Sequence, residues 1–280
     1  MLDYYLKAPA KQVTLEIYDP SGKLVRRFVS DAKKQIYPPL PIAPRWLPKP
    51  IVLESSAGMH RLVWDLRWSG SGSPEDIEEH EGYRAPRGPR VTPGIYQAKL
   101  DVDGDIFTQN FKVEMDPRSS ATPAQLDEQL RLGLEIFGAV HRSRKTVAEI
   151  GAVKKRLDEL EQKLGGRQPK LLKQVAEVNL AITKIEKGGS SSAPATMGLE
   201  AANSGLASAL RVVESSDRTI PLQAIELYQQ SDEAAKARMA EWRNLKNTEL
   251  LRLNETLQKV GALPIQISQI ERELDEFMSD

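Results

Sequence analysis

The chain has 280 residues, a length that is typical of one or two domains. Its content of 40% hydrophobic and 28% charged residues excludes collagen-like, wholly disordered and membrane-spanning proteins. Lys and Arg together number 39, as do Asp and Glu, so the formal net charge is +0. The chain therefore has no excess of positive charge that would favour binding to nucleic acid or to an anionic membrane.

The first predicted element is a strand over residues 2–6, which starts at the beginning of the sequence. It lacks the basic-then-apolar order of a signal peptide, and no later segment approaches the roughly 18 uninterrupted apolar residues that span a bilayer. A strand without a polar lead-in is unusual at a natural terminus. We therefore expect the sequence to be a piece of a longer protein.

The next elements predict a β-hairpin. Apolar and polar residues alternate from Val13 to Tyr18, and a second alternating run extends from Lys23 to Phe28. Asp19-Pro20-Ser21-Gly22 lies between them and has the composition of a tight turn. We expect the two runs to pair in antiparallel fashion around this turn.

A second hairpin is predicted from residues 94–102 and 106–113, because Asp103-Gly104 is a strong turn signal. Another strand is predicted over residues 60–66. Short strands with turns at this spacing and no intervening helical pattern predict an antiparallel Ig-like β-sandwich over residues 1–117. The strand at 60–66 places three large apolar side chains on one face: Leu62, Trp64 and Leu66.

Two long loops interrupt the predicted strands. Residues 36–50 hold six prolines around Trp46, and this composition favours extended polyproline II backbone because proline cannot donate a ladder hydrogen bond. Residues 69–92 are rich in glycine, serine, proline and charge. The proline-rich segment has the composition of an SH3-type ligand, but we favour a loop that crosses the sandwich edge with Trp46 packed against it.

After residue 117 the hydrophobic period changes from two to three or four. Thr122-Pro123-Ala124-Gln125 supplies an N-cap, a proline at the first helical position and a capping-box glutamine, so a helix is predicted to begin there. Amphipathic helices with short polar breaks predict an antiparallel helical bundle over residues 118–280, with a helical tail broken at Pro264. The fold class is therefore α+β as two domains. The four main helices are expected near residues 122–164, 171–185, 199–213 and 221–245.

Metal-binding patterns are weak in this sequence. The histidines have no second histidine at a ligand spacing, and cysteine is absent, so we expect no zinc site, disulfide or thiol nucleophile. The acidic residues around His80 are interpreted as a solvated loop. The three histidines are His60, His80 and His141.

The alternating aspartates Asp101, Asp103 and Asp105 resemble the start of a calcium-binding loop. The twelfth position of such a loop requires a glutamate, and this position is occupied by Lys112. We therefore favour a hairpin turn with solvent-facing flanks over a calcium site.

Catalytic motifs are also missing from the sequence: Gly-x-Ser-x-Gly does not occur, nor does either glycine-rich phosphate-binding pattern. We predict no catalytic residue and no cofactor. An aromatic sugar platform could be built from Trp46, Trp64 and Trp68. We favour core packing for Trp64 and leave the role of Trp68, beside the long loop, open.

Three segments resemble the Ig-like module of flagellar hook-capping proteins and related C-terminal sorting domains. These segments are the hairpin at residues 13–26, the strand at 58–65 that ends in Trp64-Asp65, and Pro93-Gly94-Ile95-Tyr96. With the opening strand and the helical tail, nearly the whole chain resembles the C-terminal region of bacterial sortilin-type or sialidase-type β-propeller proteins, often labelled glycosyl hydrolases. The Ser-x-Asp-x-Gly-x-x-Trp repeat of those propellers does not occur, so no catalytic residue is carried over.

The missing cysteine, the unpaired histidines and the absent catalytic motifs predict a non-catalytic accessory or interaction module. The resemblance implies that this module is the C-terminal part of a larger propeller-containing protein. The expected partner is a protein, an adjacent propeller domain or another one, and not nucleic acid. A glycoside-acting protein or a carbohydrate-binding module is the alternative. The sequence itself leaves the location unknown, and the resemblance implies an extracytoplasmic one, periplasmic or secreted.

Four residues are candidates for an interaction surface: Trp46, Trp68, Val147 and Ile150. The last two lie in the middle of a first helix that is far longer than usual, so that its apolar stripe must be covered internally or offered to a partner. We favour internal cover by the second and fourth helices, and hence a monomer over a dimer.

Overall fold

A computed structural model of the chain describes residues 1–31, 51–69, 87–164, 168–189 and 196–267. The predicted proline-rich loop with Trp46 lies outside the described residues, as do His80 and most of the second long loop.

The chain divides into two compact units. Among the described residues, the first unit contains Met1–Phe137 and Val213–Ile220, and the second contains Gly138–Val212 and the residues from Pro221 to 267. The predicted division after residue 117 follows the last strand, whereas the first unit also includes the opening turns of the first helix.

The described strands of the first unit form two antiparallel sheets. One has two strands in the order β1-β4, and the other has four in the order β3-β2-β5-β6. The strands are β1 (Leu2–Leu6), β2 (Val13–Tyr18), β3 (Leu24–Val29), β4 (Gly58–Leu62), β5 (Gly94–Val102) and β6 (Asp105–Val113).

Both predicted hairpins are confirmed, since β2 pairs with β3 and β5 pairs with β6. In the first turn, the Asp19 carboxylate accepts hydrogen bonds from the backbone N–H groups of Ser21 and Lys23, each at 2.9 Å. In the second, Asp103 and Gly104 have φ of 53° and 100°. Two consecutive positive φ angles match the right-handed twist of a two-residue hairpin, which explains the Asp-Gly sequence.

The strand predicted over residues 60–66 ends early, because β4 stops at Leu62. Trp64 remains buried, but Leu66 is 43% exposed and has φ of 60°. The prediction that Leu66 shares a face with Leu62 and Trp64 is therefore wrong. A positive φ at a non-glycine residue turns the backbone away from the strand path.

Inward-facing residues of both sheets belong to one hydrophobic core. Val13 and Ile17 of β2 are fully buried. The Trp64 ring packs edgewise against Tyr96 and Phe111, with centroid separations of 6.0 and 6.2 Å. The period-two pattern read from the sequence thus buries one face of each sheet.

The predicted first helix is confirmed as α1 (Pro123–Leu164). Its start is a reciprocal capping box: Thr122 N–H donates to Gln125 Oε1 at 2.8 Å, and Gln125 N–H donates to Thr122 Oγ1 at 3.3 Å. The other α-helices are α2 (Pro169–Lys187), α3 (Leu199–Val213), α4 (Leu222–Leu245) and α5 (Leu251–Lys259).

Within the second unit, α2 packs against α4 and α5. The side chains of Ile182 and Trp242 are 0% and 1% exposed, as expected for the apolar stripes of amphipathic helices. A π-helical turn at Lys246–Leu250 joins α4 to α5, which the sequence pattern did not predict. No helix in the described part of the chain is both long enough and apolar enough to span a bilayer.

Candidate interaction surface

The two-stranded sheet buries one face and exposes the other. Tyr4, Leu6 and Leu62 lie in the core, whereas their neighbours along the strands point outward. The exposed fractions of the outward-facing apolar residues are large: Tyr5 61%, Met59 71% and Val63 60%. Tyr5 and Met59 are direct cross-strand partners. We call the surface formed by Asp3, Tyr5, Met59, Arg61 and Val63 the β1–β4 outer face.

A polar pair lies beside these apolar side chains. Asp3 and Arg61 are also cross-strand partners, and the guanidinium donates from Nε at 2.7 Å and from Nη2 at 2.9 Å to the two carboxylate oxygens. The hydrogen bonds from Arg61 lower the pKa of Asp3 below its ordinary value. Because both groups are exposed, the pair contributes little to stability, but its bidentate geometry fixes a charge pattern on the surface.

Contacts beneath the sheet hold this face in place. The Tyr4 hydroxyl donates to the Glu54 carbonyl at 2.7 Å, and burial raises the Tyr4 pKa. His60 Nε2 lies 2.7 Å from the Ser56 carbonyl oxygen, and its ring lies 5.1 Å from that of Tyr4. The residues before β4 are therefore tied to the sheet, which leaves its outer side chains on a supported backbone.

A buried carboxylate lies elsewhere in the first unit, beside a cleft of about 290 Å³. Glu214 Oε2 accepts a hydrogen bond from Arg67 Nη1 at 3.0 Å and another from the Arg90 backbone N–H at 3.0 Å. Arg67 also donates to the Gly88 carbonyl at 2.6 Å. Burial raises the Glu214 pKa above its ordinary value of 4.5, and the two arginines only partly offset that effect.

The segment that carries Glu214 has further anchors within the same unit. The Gln129 side-chain amide donates to the carbonyls of Val213 and Ser216, the latter at 3.0 Å. The Gln125 side chain donates to Thr219 Oγ1 at 2.7 Å. These bonds hold residues 213–220 against the start of α1, and the charged groups around Glu214 are already paired with one another. We therefore interpret this arrangement as a structural contact that holds residues 213–220 in place.

A third polar cluster lies on the outer face of the four-stranded sheet. The Glu16 carboxylate accepts from the Tyr18 hydroxyl and from Arg27 Nη2, both at 2.6 Å, and Lys99 Nζ lies 3.4 Å away. Burial opposes ionisation of Glu16, but these hydrogen bonds hold its pKa below the ordinary value. Burial and the hydrogen bond to Glu16 raise the Tyr18 pKa to about 12. The charged groups of this cluster come from three strands and are paired with one another.

The structure places the predicted interaction residues as follows. Trp68 lies in the core of the first unit, where it is 3% exposed and Lys23 Nζ sits 4.9 Å from its ring centroid. Ile150 is fully buried and Val147 is half-buried. Trp46 lies outside the described residues. Trp68 and Ile150 are therefore core residues, not surface ones.

The remaining candidate residues have structural roles in the core and in a hairpin turn. Trp64 is buried, as favoured, and its Nε1 donates to the Arg67 carbonyl at 3.1 Å. The Asp103 carboxylate accepts the backbone N–H groups of Lys11 and Gln12, the latter at 2.8 Å, while Asp101 accepts that of Gly104 at 2.9 Å. The hairpin interpretation of the aspartates is thus confirmed. Within the described ranges, no group of three or more His, Asp or Glu side chains could hold a metal ion.

The sequence did not identify the β1–β4 outer face or Glu214. The alternation of exposed Met59, Arg61 and Val63 with buried Leu62 and Trp64 was available as a signal for the face. That alternation could not be interpreted from the sequence alone, because the sequence does not show which side of the strand faces the core.

No family model, curated protein or solved structure matches the chain in comparisons with known proteins.

Proposed function

We propose that this chain is a non-catalytic interaction module that docks a protein partner through the β1–β4 outer face. The observation that carries this proposal is the joint exposure of Tyr5, Met59 and Val63 on one side of a sheet whose other side is core. Large apolar side chains that cluster in water mark protein interaction sites. Tyrosine and methionine are among the residues enriched at such interfaces.

The pair Asp3–Arg61 supports a protein partner more than a lipid surface. It lies between apolar positions of the same face and presents both charge signs, so a matching surface must provide complementary polar groups as well as apolar contact. Interfaces of this kind combine an apolar anchor with polar groups that fix orientation.

We also propose the finer architecture expected from the sequence. The shared core of two antiparallel sheets supports an Ig-like β-sandwich over residues 1–117. The packing of α2 on α4 and α5 supports an antiparallel helical bundle within residues 118–280. A module of this kind is a scaffold that carries a binding surface, and its function follows from that surface, not from the fold.

The partner we propose is the propeller domain of a larger protein of which this chain is the C-terminal part. Support comes from the resemblance of the sequence to the C-terminal regions of sortilin-type and sialidase-type propeller proteins. The outer side chains of β1, Asp3 and Tyr5, form part of the proposed docking surface.

The test uses any propeller domain that is encoded directly upstream of this chain in its genome. Binding of that domain to the chain is measured by calorimetry, with Tyr5→Lys plus Met59→Lys as the variant. Ile95→Lys is the matched control, because Ile95 is also an exposed apolar strand residue, at 53%. We expect the double variant to bind at least about tenfold more weakly, since interface anchors commonly contribute roughly 2 kcal/mol each.

Three outcomes contradict the proposal. The first is unchanged binding by the Tyr5→Lys plus Met59→Lys variant, and the second is a genome in which no propeller precedes this sequence. The third is turnover of a chromogenic glycoside by the chain that a single carboxylate substitution abolishes. That third result would establish the glycoside-acting alternative instead.

A further inference from the structure

Strand β6 is the edge of the four-stranded sheet, and among the described strands it pairs only with β5. Its residues Asp105–Asn110 are all exposed, including Ile106 at 56% and Phe107 at 59%. Its nine residues contain no proline, and its pairing with β5 has no register shift. Edge strands usually carry such interruptions because an uninterrupted edge recruits another strand.

The hydrogen-bonding groups of this edge follow from the hairpin. A two-residue turn at Asp103-Gly104 makes Val102 and Asp105 the closing hydrogen-bonded pair. Because hydrogen-bonded and non-hydrogen-bonded pairs alternate along an antiparallel ladder, odd-numbered residues of β6 bond to β5 and even-numbered ones point outward. One outward carbonyl, that of Asn110, accepts the exposed Gln109 side-chain amide at 3.1 Å, a contact that a partner strand can replace.

We propose that β6 pairs with β6 of a second copy of this chain, in antiparallel register about a two-fold axis at Gln109. This axis stands perpendicular to the sheet, so each residue meets a partner of the same parity, on the same face. Phe107 then lies opposite Phe111 of the second copy, and Thr108 lies opposite Asn110 of the second copy. The two four-stranded sheets become one continuous sheet.

The placement of charge favours antiparallel over parallel pairing of two copies. β6 carries Asp105 near one end and Lys112 near the other. Antiparallel self-pairing keeps the two Asp105 side chains at opposite ends of the ladder, and the two Lys112 side chains likewise, whereas parallel in-register pairing would align like charges. Lys112 is 3.2 Å from Glu114, but that ion pair is exposed and contributes little, so it does not oppose the pairing.

The aromatic pairs favour a second copy as the occupant. Odd-numbered residues of β6 would form the non-hydrogen-bonded pairs of the new ladder, where facing side chains are closest. The Phe111 ring is already fixed by Tyr96, at a centroid separation of 6.0 Å, and would cover the exposed ring of Phe107 from the second copy. The sequence favoured a monomer over a dimer because the helical stripe was expected to be covered, and the proposed dimer departs from that expectation through a different surface, the β6 edge.

The first test is disulfide cross-linking of the full chain, which has no natural cysteine. In Gln109→Cys, the two introduced thiols face each other across the two-fold axis, so mild oxidation should give a covalent dimer. In the control Ile106→Cys, the two thiols are separated by about 20 Å along the strands, far beyond disulfide reach. Cross-linking of both variants to the same extent, or of neither, overturns the proposal.

The second test is sedimentation equilibrium of Thr108→Pro. The Thr108 N–H points outward, so proline removes a donor of the new ladder without breaking the pairing with β5. We expect the dimer dissociation constant to rise at least about tenfold, equivalent to about 1.4 kcal/mol. The control Thr108→Val keeps the N–H and should dimerise like the natural chain. A natural chain that stays monomeric at a concentration of about 100 µM, or a Thr108→Pro variant that dimerises normally, overturns the proposal.

Discussion

Arg67 and Glu214 form an ion pair that is almost completely withdrawn from water. The Nη1 atom of Arg67 lies 3.0 Å from Oε2 of Glu214, and the two side chains are 14% and 11% exposed. The residues are 147 positions apart in the sequence. The pair therefore fastens residues 213–220 to the strand-bearing part of the first unit.

Removing either partner of this pair should be costly, because the other charge stays buried without its counter-ion. We expect Arg67→Ala and Glu214→Ala each to lower the free energy of unfolding by about 3 to 5 kcal/mol. The double variant should lose less than the sum of the two. Urea titrations followed by the fluorescence of Trp64 and Trp68, which lie in the same unit, measure the effect.

The control for this cycle is the exposed helical pair Arg131–Glu135, whose side chains are 61% and 47% exposed. Glu135→Ala should change the unfolding free energy by no more than about 0.5 kcal/mol. Strict additivity of the two buried-pair variants would show that Arg67 and Glu214 do not interact in solution.

Glu214 should also give the protein a specific pH dependence. Its folded-state pKa is raised above the ordinary 4.5, so the folded chain holds this proton more tightly than the unfolded chain does. Its contribution to stability is therefore complete below pH 4.5 and declines as the pH rises through the folded-state pKa. The comparison with Glu214→Gln isolates this contribution, because glutamine does not titrate.

We expect the unfolding free energy of the natural chain, minus that of Glu214→Gln, to fall as the pH rises above 4.5 and to level off above the folded-state pKa of Glu214. Urea titrations at four or five pH values measure this difference, and the subtraction removes the other carboxylates. A difference that rises with pH would mean that the arginines outweigh burial at this site.

The helix cap at Thr122 gives a third prediction. Thr122→Ala removes the acceptor for the Gln125 backbone N–H and should destabilise the protein by about 1 kcal/mol. Thr183→Ala is the control, because this threonine lies inside α2 and its hydroxyl donates to the Asn179 carbonyl at 2.8 Å. Such an interior contact adds little to helix stability, so the control should be neutral or slightly stabilising. Thermal unfolding followed by circular dichroism measures both, and equal losses would contradict the capping role.

The cap and the two hairpins could be predicted because their causes are local in the sequence. Thr122 and Gln125 are three residues apart, and each turn is set by an Asp and a Gly within four residues. The helices followed from their apolar period for the same reason.

The features that the sequence did not predict depend mainly on contacts between residues that are far apart in the chain. Nothing in the local sequence connects Glu214 with Arg67, and the β1–β4 outer face depends on which side of β1 meets the core. The prediction for Leu66 was wrong because the positive φ of this residue, and not the alternation pattern, determines where its side chain points. The π-helical turn after α4 had no sequence signal that we recognise.

Two helical glycines of the second unit should respond to alanine in opposite directions. A Cβ added at Gly151 meets nothing within 4 Å, so Gly151→Ala should stabilise α1 by about 0.5 to 1 kcal/mol through its helix propensity. A Cβ added at Gly205 would lie 2.1 Å from Ser231 Oγ and 3.1 Å from Ser231 Cβ. Gly205→Ala should therefore force α3 and α4 apart and cost about 1 to 3 kcal/mol.

The close contact between position 205 and Ser231 can be tested by removing the Ser231 hydroxyl. Ser231 is fully buried, and its hydroxyl has no hydrogen-bond partner among the described residues, so Ser231→Ala alone should cost little. Combined with Gly205→Ala, it removes the closest atom and should restore part of the lost stability. Urea unfolding followed by the fluorescence of Trp242, which is buried in the same unit, measures all four variants. Equal effects of alanine at Gly151 and Gly205, or no rescue by Ser231→Ala, would show that α3 and α4 are not packed this closely, since relief of a steric clash must appear as a non-additive gain.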